Sequence, residues 1–321
     1  MDQLKSIRKK SKEIKQEALN NFPQKIFPLT EDFDLIYSLN QNPDIIRLGD
    51  LGKFHYRILG FIDWNKHLKQ ITNKKMTSEN LPFIGTANIS KYLINPNKVI
   101  TLAKKRMQST FLNYNETYED AWQIFKKPKL SIKEISKELT VAYDSGLFSN
   151  LTGVYMFYPN DISNLKSLLI ILNSKLLQRY FTAFYGSTHL AGGYLRFNGS
   201  YLKQLPIILP KKMKLWDNLA NYLIILQYLL NNEENQTKEI SKYFVLFSNV
   251  ANQLVNKLYS GLEKTDKIFS LLDEQIIDLQ LEDYRIIIEN RNIRLFDKKS
   301  LIKYLQIIEK SYNNLRNLDF T

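Results

Sequence analysis

The residues that could do covalent or metal chemistry are few. The 321-residue sequence has no cysteine and three histidines. Disulfides, thiolate metal sites and cysteine catalysis are therefore excluded, and His55, His67 and His189 are too few for a histidine-rich metal site. Ser149, Ser187 and His189 do not form a nucleophile elbow, which needs its serine on a tight strand-to-helix turn. Pro43-Asp44 begins a nuclease-like pattern, but no ExK triplet follows at a usable distance. Asp283 and Glu289 could approach each other across a hairpin. Two solvated carboxylates on a surface turn is the simpler reading, since charged side chains mostly stay exposed. There is no GxxxxGK[ST] loop, no GxG leading from a strand into a helix, and no Pro-Pro dipeptide. The phosphate loop of NTPases, a dinucleotide-type or S-adenosylmethionine-type loop, and the Pro-Pro element of adenine-amino methyltransferases are thus all missing. No residue is assigned a catalytic or metal-ligating role.

Other residues suit a polyanionic partner. Lys and Arg number 45 against 32 Asp and Glu, a formal charge of +13. Cations that neutralise phosphates release condensed counterions, so this excess favours double-stranded DNA, although a lysine- and asparagine-rich composition accounts for part of it. Two basic runs are candidates for phosphate contact: Lys104, Lys105 and Arg106, and then Lys126, Lys127 and Lys129. Each is equally readable as a solvated loop. The segment Tyr185 to Asn198 is the candidate for reading bases. Arg196 can fork onto guanine, Asn198 onto adenine, and His189 can donate or accept at a base edge. Gly192 and Gly193, beside Tyr194, would let the backbone approach the duplex closely. The alternative is that the glycine pair only makes a turn and Arg196 pairs with a nearby acid.

The elements that must carry these residues divide the chain into three parts. Residues 1–44 read as a helical extension: a basic, weakly amphipathic helix over 1–20, breaks at Phe22-Pro23 and Phe27-Pro28, and a short helix after Thr30 that ends near Asn42-Pro43. Residues 45–210 are mixed with β character, punctuated by Gly49, Gly52, Gly60, Gly85, Gly146 and Gly153. A strand over Leu151 to Tyr158 should stop at Pro159, and helical spacing covers residues 163–184, interrupted at Asn173-Ser174-Lys175. Asn173 there is expected to bond to neighbouring backbone. Residues 211–321 are mainly helical, with leucine- and phenylalanine-faced helices over 214–260, a third over Leu262 to Leu281, a small hairpin around residues 289–292 and a final helix over Leu301 to Leu315. The fold class is α+β. The helical region would serve as spacer or docking surface, or complete this chain's own core. No secretory leader is visible at the start, and Leu165 to Leu177 is too short and too polar to span a bilayer. Together with the absent cysteines, this fits the cytoplasm.

Two stretches carry a resemblance. One runs from Phe125-Lys126-Lys127-Pro128-Lys129-Leu130 to Tyr143-Asp144-Ser145-Gly146. The other runs from Leu172-Asn173-Ser174-Lys175-Leu176-Leu177 through Tyr180-Phe181, Gly192-Gly193-Tyr194-Leu195-Arg196-Phe197 and Tyr201-Leu202 to Leu205-Pro206-Ile207. With Leu81-Pro82-Phe83-Ile84-Gly85, Asn88-Ile89 and Lys91 to Ile94 upstream, the order resembles the TaqI-like C-terminal specificity domain over roughly residues 45–210. That is the target recognition module of adenine-specific DNA methyltransferases and restriction–modification enzymes. The resemblance implies a DNA-specificity subunit or fragment of such a system, related in role to phage defence, with no catalytic domain of its own. S-adenosylmethionine would then be bound by a partner methyltransferase or restriction subunit. A scaffold of a defence system that does not read DNA is the alternative.

Overall fold

A computed structural model describes residues 20, 22–28, 30, 33–59, 69–73, 77–102, 104–150, 152–186, 190–232, 238–261, 270–272, 274–280, 283–289 and 292–316. The basic helix expected over residues 1–20 lies outside these apart from residue 20, as do His67 and His189.

The architecture is α+β. In chain order the strands are β1 (Ile46–Arg47), β2 (Gly52–His55), β3 (Ile71–Thr72), β4 (Leu81–Ile84), β5 (Tyr92–Leu93), β6 (Ile100–Leu102), β7 (Lys105–Met107), β8 (Phe111–Leu112), β9 (Lys129–Lys133), β10 (Ile135–Ser136), β11 (Val141–Asp144), β12 (Ser149–Asn150), β13 (Val154–Pro159), β14 (Leu195–Arg196), β15 (Pro206–Ile207), β16 (Ile287–Glu289) and β17 (Asn292–Arg294). The helices are α1 (Phe33–Gln41), α2 (Glu119–Phe125), α3 (Leu165–Leu172), α4 (Lys175–Tyr185), α5 (Gly199–Leu202), α6 (Met213–Asn231), α7 (Lys238–Tyr259) and α8 (Lys298–Leu315).

The frame is a five-stranded sheet ordered β2-β13-β9-β11-β5, antiparallel except where β5 joins β11. Successive side chains of a strand face opposite ways, and here both faces are covered. Leu130 lies between Tyr143 and Phe157 in register, and all three enter the main core with α3, α4 and α6. Met156, one residue along, faces a second core built on Trp122 and Phe125 of α2 and Phe83 of the smaller sheet β12-β4-β8-β3.

Residues 163–184 form two helices rather than one. Asn173 closes α3, and Ser174 starts α4 by accepting a hydrogen bond from Leu177 N. The Asn173 amide leaves its own helix to bridge onto the sheet. It accepts from Val141 N at 3.1 Å and donates to Val141 O at 2.8 Å and Leu169 O at 2.9 Å. A polar residue inside an apolar run is thus the joint between helix and strand.

The helices after residue 210 share this core. Leu219, Leu223 and Leu226 of α6 pack with α3, β5 and α7 in the same buried cluster as Leu130 and Tyr143. Buried Asn218 donates to Leu272 O and Gln275 O and accepts from Ile277 N, so residues 275–277 are held against α6 outside any helix. The third helix expected over Leu262 to Leu281 is therefore confined, among the described residues, to 270–272. The hairpin β16–β17 forms and docks through Asn97, which donates to Ile293 O at 2.9 Å and accepts from Ile293 N at 2.8 Å. Among the described residues, no helix is long and apolar enough to cross a membrane.

Candidate nucleic-acid interface

The expected base-reading segment becomes a short exposed rim on the main core. Beyond α4 the described chain resumes at Leu190, whose N–H donates to Tyr194 O at 2.7 Å. Gly192 and Gly193 form the turn between them, at φ of 78° and 76°. Both lie in the left-handed region that side chains resist, so glycine is required by the backbone itself. From there burial alternates. Leu195 and Phe197 are buried, whereas Tyr194, Arg196 and Asn198 are exposed on the other side. Phe197 packs on Phe181 with ring centroids 4.5 Å apart. Its N–H donates to Glu134 O at 2.7 Å, and β14 pairs Arg196 with Ile135 and Leu195 with Ser136. Period-two alternation on a fixed strand thus presents three of the sequence candidates on one face.

Arg196 is steered as well as exposed. Its Nε lies 3.6 Å from Glu134 Oε1, while its side chain stays 54% exposed. Tyr56 OH donates to the other oxygen of Glu134 at 2.7 Å and lies 3.0 Å from Thr152 Oγ1. The Tyr56 ring stacks on Tyr155 with centroids 4.4 Å apart, and the Arg57 guanidinium lies over the Tyr56 ring at 5.0 Å. A Cβ on Gly199 would come within 2.9 Å of the Tyr155 ring, so the start of α5 closes tightly on this stack. Lys137 Nζ lies 5.7 Å from the Tyr194 ring centre. The acid pairing foreseen as the alternative for Arg196 is present, yet more than half of the side chain remains accessible. Asn198 is the N-cap of α5 and accepts from Ser200 N at 3.3 Å, so reading adenine would require its oxygen to share that bond. His189 lies outside the described residues.

The basic runs separate. Lys104, Lys105 and Arg106 form the exposed turn and outgoing strand of the β6–β7 hairpin, whose Ile100 and Leu102 anchor in the second core. None of the three has a carboxylate partner among the described residues. Lys126 is exposed but pairs with Glu79 at 2.8 Å, and Lys127 is exposed beside it.

Lys129 must be removed from the phosphate set. It is 1% exposed, and its Nζ meets Asp144 Oδ2 at 2.6 Å, with that side chain 0% exposed. In register Lys129 lies directly opposite Asp144 across the β9–β11 ladder. Its ammonium also donates to Phe125 O at 2.7 Å. Asp144 Oδ1 accepts from Gly146 N and Leu147 N, fixing the turn that follows β11. Burial drives the Lys129 pKa down and Asp144 opposes that shift. A cation held this way closes a core and has no path to a phosphate. A Cβ on Gly146 would fall 2.1 Å from Lys126 O, so this turn, at φ 96°, admits only glycine.

Sequence reasoning missed Glu134, Tyr56 and Arg57. Glu134 and Arg196 are joined by the β10–β14 pairing, and neither flanking segment has a motif that announces it.

The result is a β platform covered on both faces that exposes Tyr194, Arg196 and Asn198 along a glycine-turned rim. Residues 81–207 match the family model of the TaqI-like C-terminal specificity domain, which supports a domain of that kind in this part of the chain. Its family is one of DNA-recognition domains of methyltransferase-type proteins. No curated protein matches the chain. The match begins after β1 and β2, although β2 is a full member of the main sheet and β1 pairs with β15 at the end of the matched segment.

Proposed function

We propose that this chain is the sequence-reading subunit or fragment of an adenine-specific DNA methyltransferase or restriction–modification system, acting in the cytoplasm. It supplies register and base choice. A partner subunit binds S-adenosylmethionine and carries the catalytic pocket into which the adenine is flipped. The observation that carries this reading is the Tyr194-to-Asn198 rim within a TaqI-like domain, with Arg196 outward between buried Leu195 and Phe197. Phosphate contacts position such a protein, whereas base-edge contacts specify its site. Arg196 and Tyr194 take the second role, with Asn198 and His189 beside them, and the Gly192-Gly193 turn lets the backbone approach the duplex. Lys104, Lys105, Arg106, Lys126 and Lys127 take the first. The exposed sides of α7 and α8, where Val245 is 58% and Ile302 61% exposed, are surfaces offered to a catalytic partner, whereas α6 is committed to the core.

The test is selection of bound duplexes from a randomised library, followed by affinity measurements over a range of salt. The expected result is an enriched site and an affinity that falls steeply with salt. Equal binding of all sequences, with the catalytic partner present or absent, would sink this reading.

A further inference from the structure

A second cationic surface adjoins the Arg196 rim and includes residues that precede the family match. Arg47, Gly49, Lys53, His55 and Lys203 line an open cleft of about 520 Å³ along β2. β2 is an edge strand, paired with β13 on one side. Its register sets Lys53 opposite Tyr158 and His55 opposite Met156, so both project to the same face. Lys127 stands close enough that its charge, with that of Lys53, adds to burial in lowering the His55 pKa.

The other wall is Lys203. Gly49 N donates to Lys203 O at 3.0 Å, and a Cβ on Gly49 would sit 3.0 Å from Lys203 Cβ, so the lysine stem lies over the glycine. Arg47 is held in place between the walls. Its guanidinium donates to Gln204 O at 3.0 Å, Tyr180 OH at 3.1 Å and Asn40 Oδ1 at 2.9 Å. Asp50 is the acid among the lining residues, and Lys53 and Lys203 have no carboxylate partner among the described residues. Against the single acid Asp50, the cations Arg47, Lys53 and Lys203 leave the cleft net positive, a field that attracts a polyanion.

The strand that lines the cleft continues toward the rim. After His55 the chain continues to Tyr56, whose hydroxyl donates to Glu134, the acid beside Arg196, and to Arg57, whose guanidinium sits over the Tyr56 ring.

We propose that this cleft seats backbone phosphates of the duplex that the Arg196 rim reads, with Lys53 and Lys203 as their ligands. The proposal rests on the reading of that rim as a DNA reader. An acidic peptide added to the β2 edge would meet the same charges. Continuity with the rim and cations on both walls favour the duplex.

The test uses the full chain, a labelled random-sequence duplex and the duplex enriched by selection. Affinity is measured against salt for wild type, for Lys53→Gln/Lys203→Gln and for Arg196→Ala. Both lysines are exposed, so the double variant keeps the fold. Each lost phosphate contact lowers the slope of log affinity against log salt by about 0.9, so the double variant should lose about 1.8 and keep its base preference. Arg196→Ala should do the reverse, losing preference with the slope largely kept. A wild-type slope in the double variant, with preference lost in Arg196→Ala, overturns the cleft and leaves the reader standing. The same slope combined with lost binding of a poly-glutamate peptide assigns the cleft to an acidic peptide and also overturns it. A wild type without base preference overturns the reader, and with it the register proposed here, whatever the slopes.

Discussion

Replacing Arg196 by alanine separates reading from folding. In the free protein the guanidinium is 54% exposed and 3.6 Å from Glu134. Exposed ion pairs contribute about 0–1 kcal/mol, so Arg196→Ala should leave stability within about 1 kcal/mol of wild type. A two-pronged guanidinium contact to a base discriminates by about 1–3 kcal/mol, or about 5- to 140-fold at 1.4 kcal/mol per tenfold. The variant should therefore lose that factor at one base position of the selected site and keep its affinity for unselected duplex. Glu134→Gln and Tyr56→Phe should blur the same position by a smaller factor, because Arg196 remains but its bearing is released. Arg196→Lys should restore only part of the loss, since an ammonium lacks the planar fork. The assay is competition binding with duplexes carrying each base in turn, at one fixed salt concentration, beside urea unfolding of each variant. The reasoning fails if Arg196→Ala weakens all duplexes equally and lowers the salt slope by about 0.9, which would make Arg196 a phosphate contact. It also fails if Glu134→Gln and Tyr56→Phe disturb a different position.

Three further outcomes are expected. Lys129→Met should destabilise by about 3–5 kcal/mol, because it strands a buried carboxylate, and Lys129→Met/Asp144→Asn should recover at least about 1 kcal/mol of that loss in urea midpoints. A single variant within about 1 kcal/mol of wild type would show that the pair is not closed from solvent. Asn173→Ala should cost about 1–3 kcal/mol, since it leaves the N–H and C=O of Val141 without their amide partner, and hydrogen exchange at Val141 should rise; unchanged protection would refute the joint. His55 faces Lys53, Lys127 and the Tyr158 ring, and burial followed by those two charges holds its pKa below 6.5. The unfolded chain takes up that proton first, so the stability tied to His55 is complete above pH 6.5 and drains as pH falls through the lowered value. Phosphates in the cleft favour the charged ring, so duplex affinity should rise as pH drops below about 6.5, and His55→Gln should flatten that part of the profile relative to wild type.

How much of this was legible depends on how local each determinant is. The helices α6 and α7 follow from leucine and phenylalanine spacing because a 3.6-residue period is complete within one segment. The end of β13 at Pro159 is local in the same sense. Strands of two or three residues, such as β5, β10 and β14, are too short for alternation to stand out, and they exist because of partners far along the chain. Lys129 shows the consequence. In sequence it ends a basic run and looks solvated, but its register opposite Asp144 buries it, and pairing across strands is not written in a run of like charges. The boundary near residue 210 misleads for a related reason. Composition changes there, yet α6 fills the face of the sheet that α3 leaves open, so a change of element type is not a change of core.

The same distinction explains how a reading surface can be exposed and still fixed. A side chain that chooses between bases must hold its direction before DNA arrives, because orienting it on binding would consume the discrimination it provides. Arg196 stands between two residues only 1% and 0% exposed, on a strand next to the carboxylate that directs it. Tyr56 ties that carboxylate to β2, and β2 is bonded to β13 in the middle of the domain. The bearing of the guanidinium is therefore set by the main sheet rather than by the loop. Gly193 packs against no part of that support, since a Cβ there would meet nothing within 4 Å. Gly193→Ala should accordingly strain the turn through its φ of 76° and lower affinity for every duplex while leaving base preference intact. A shift of preference in that variant would mean that the loop, and not the sheet behind it, aims Arg196.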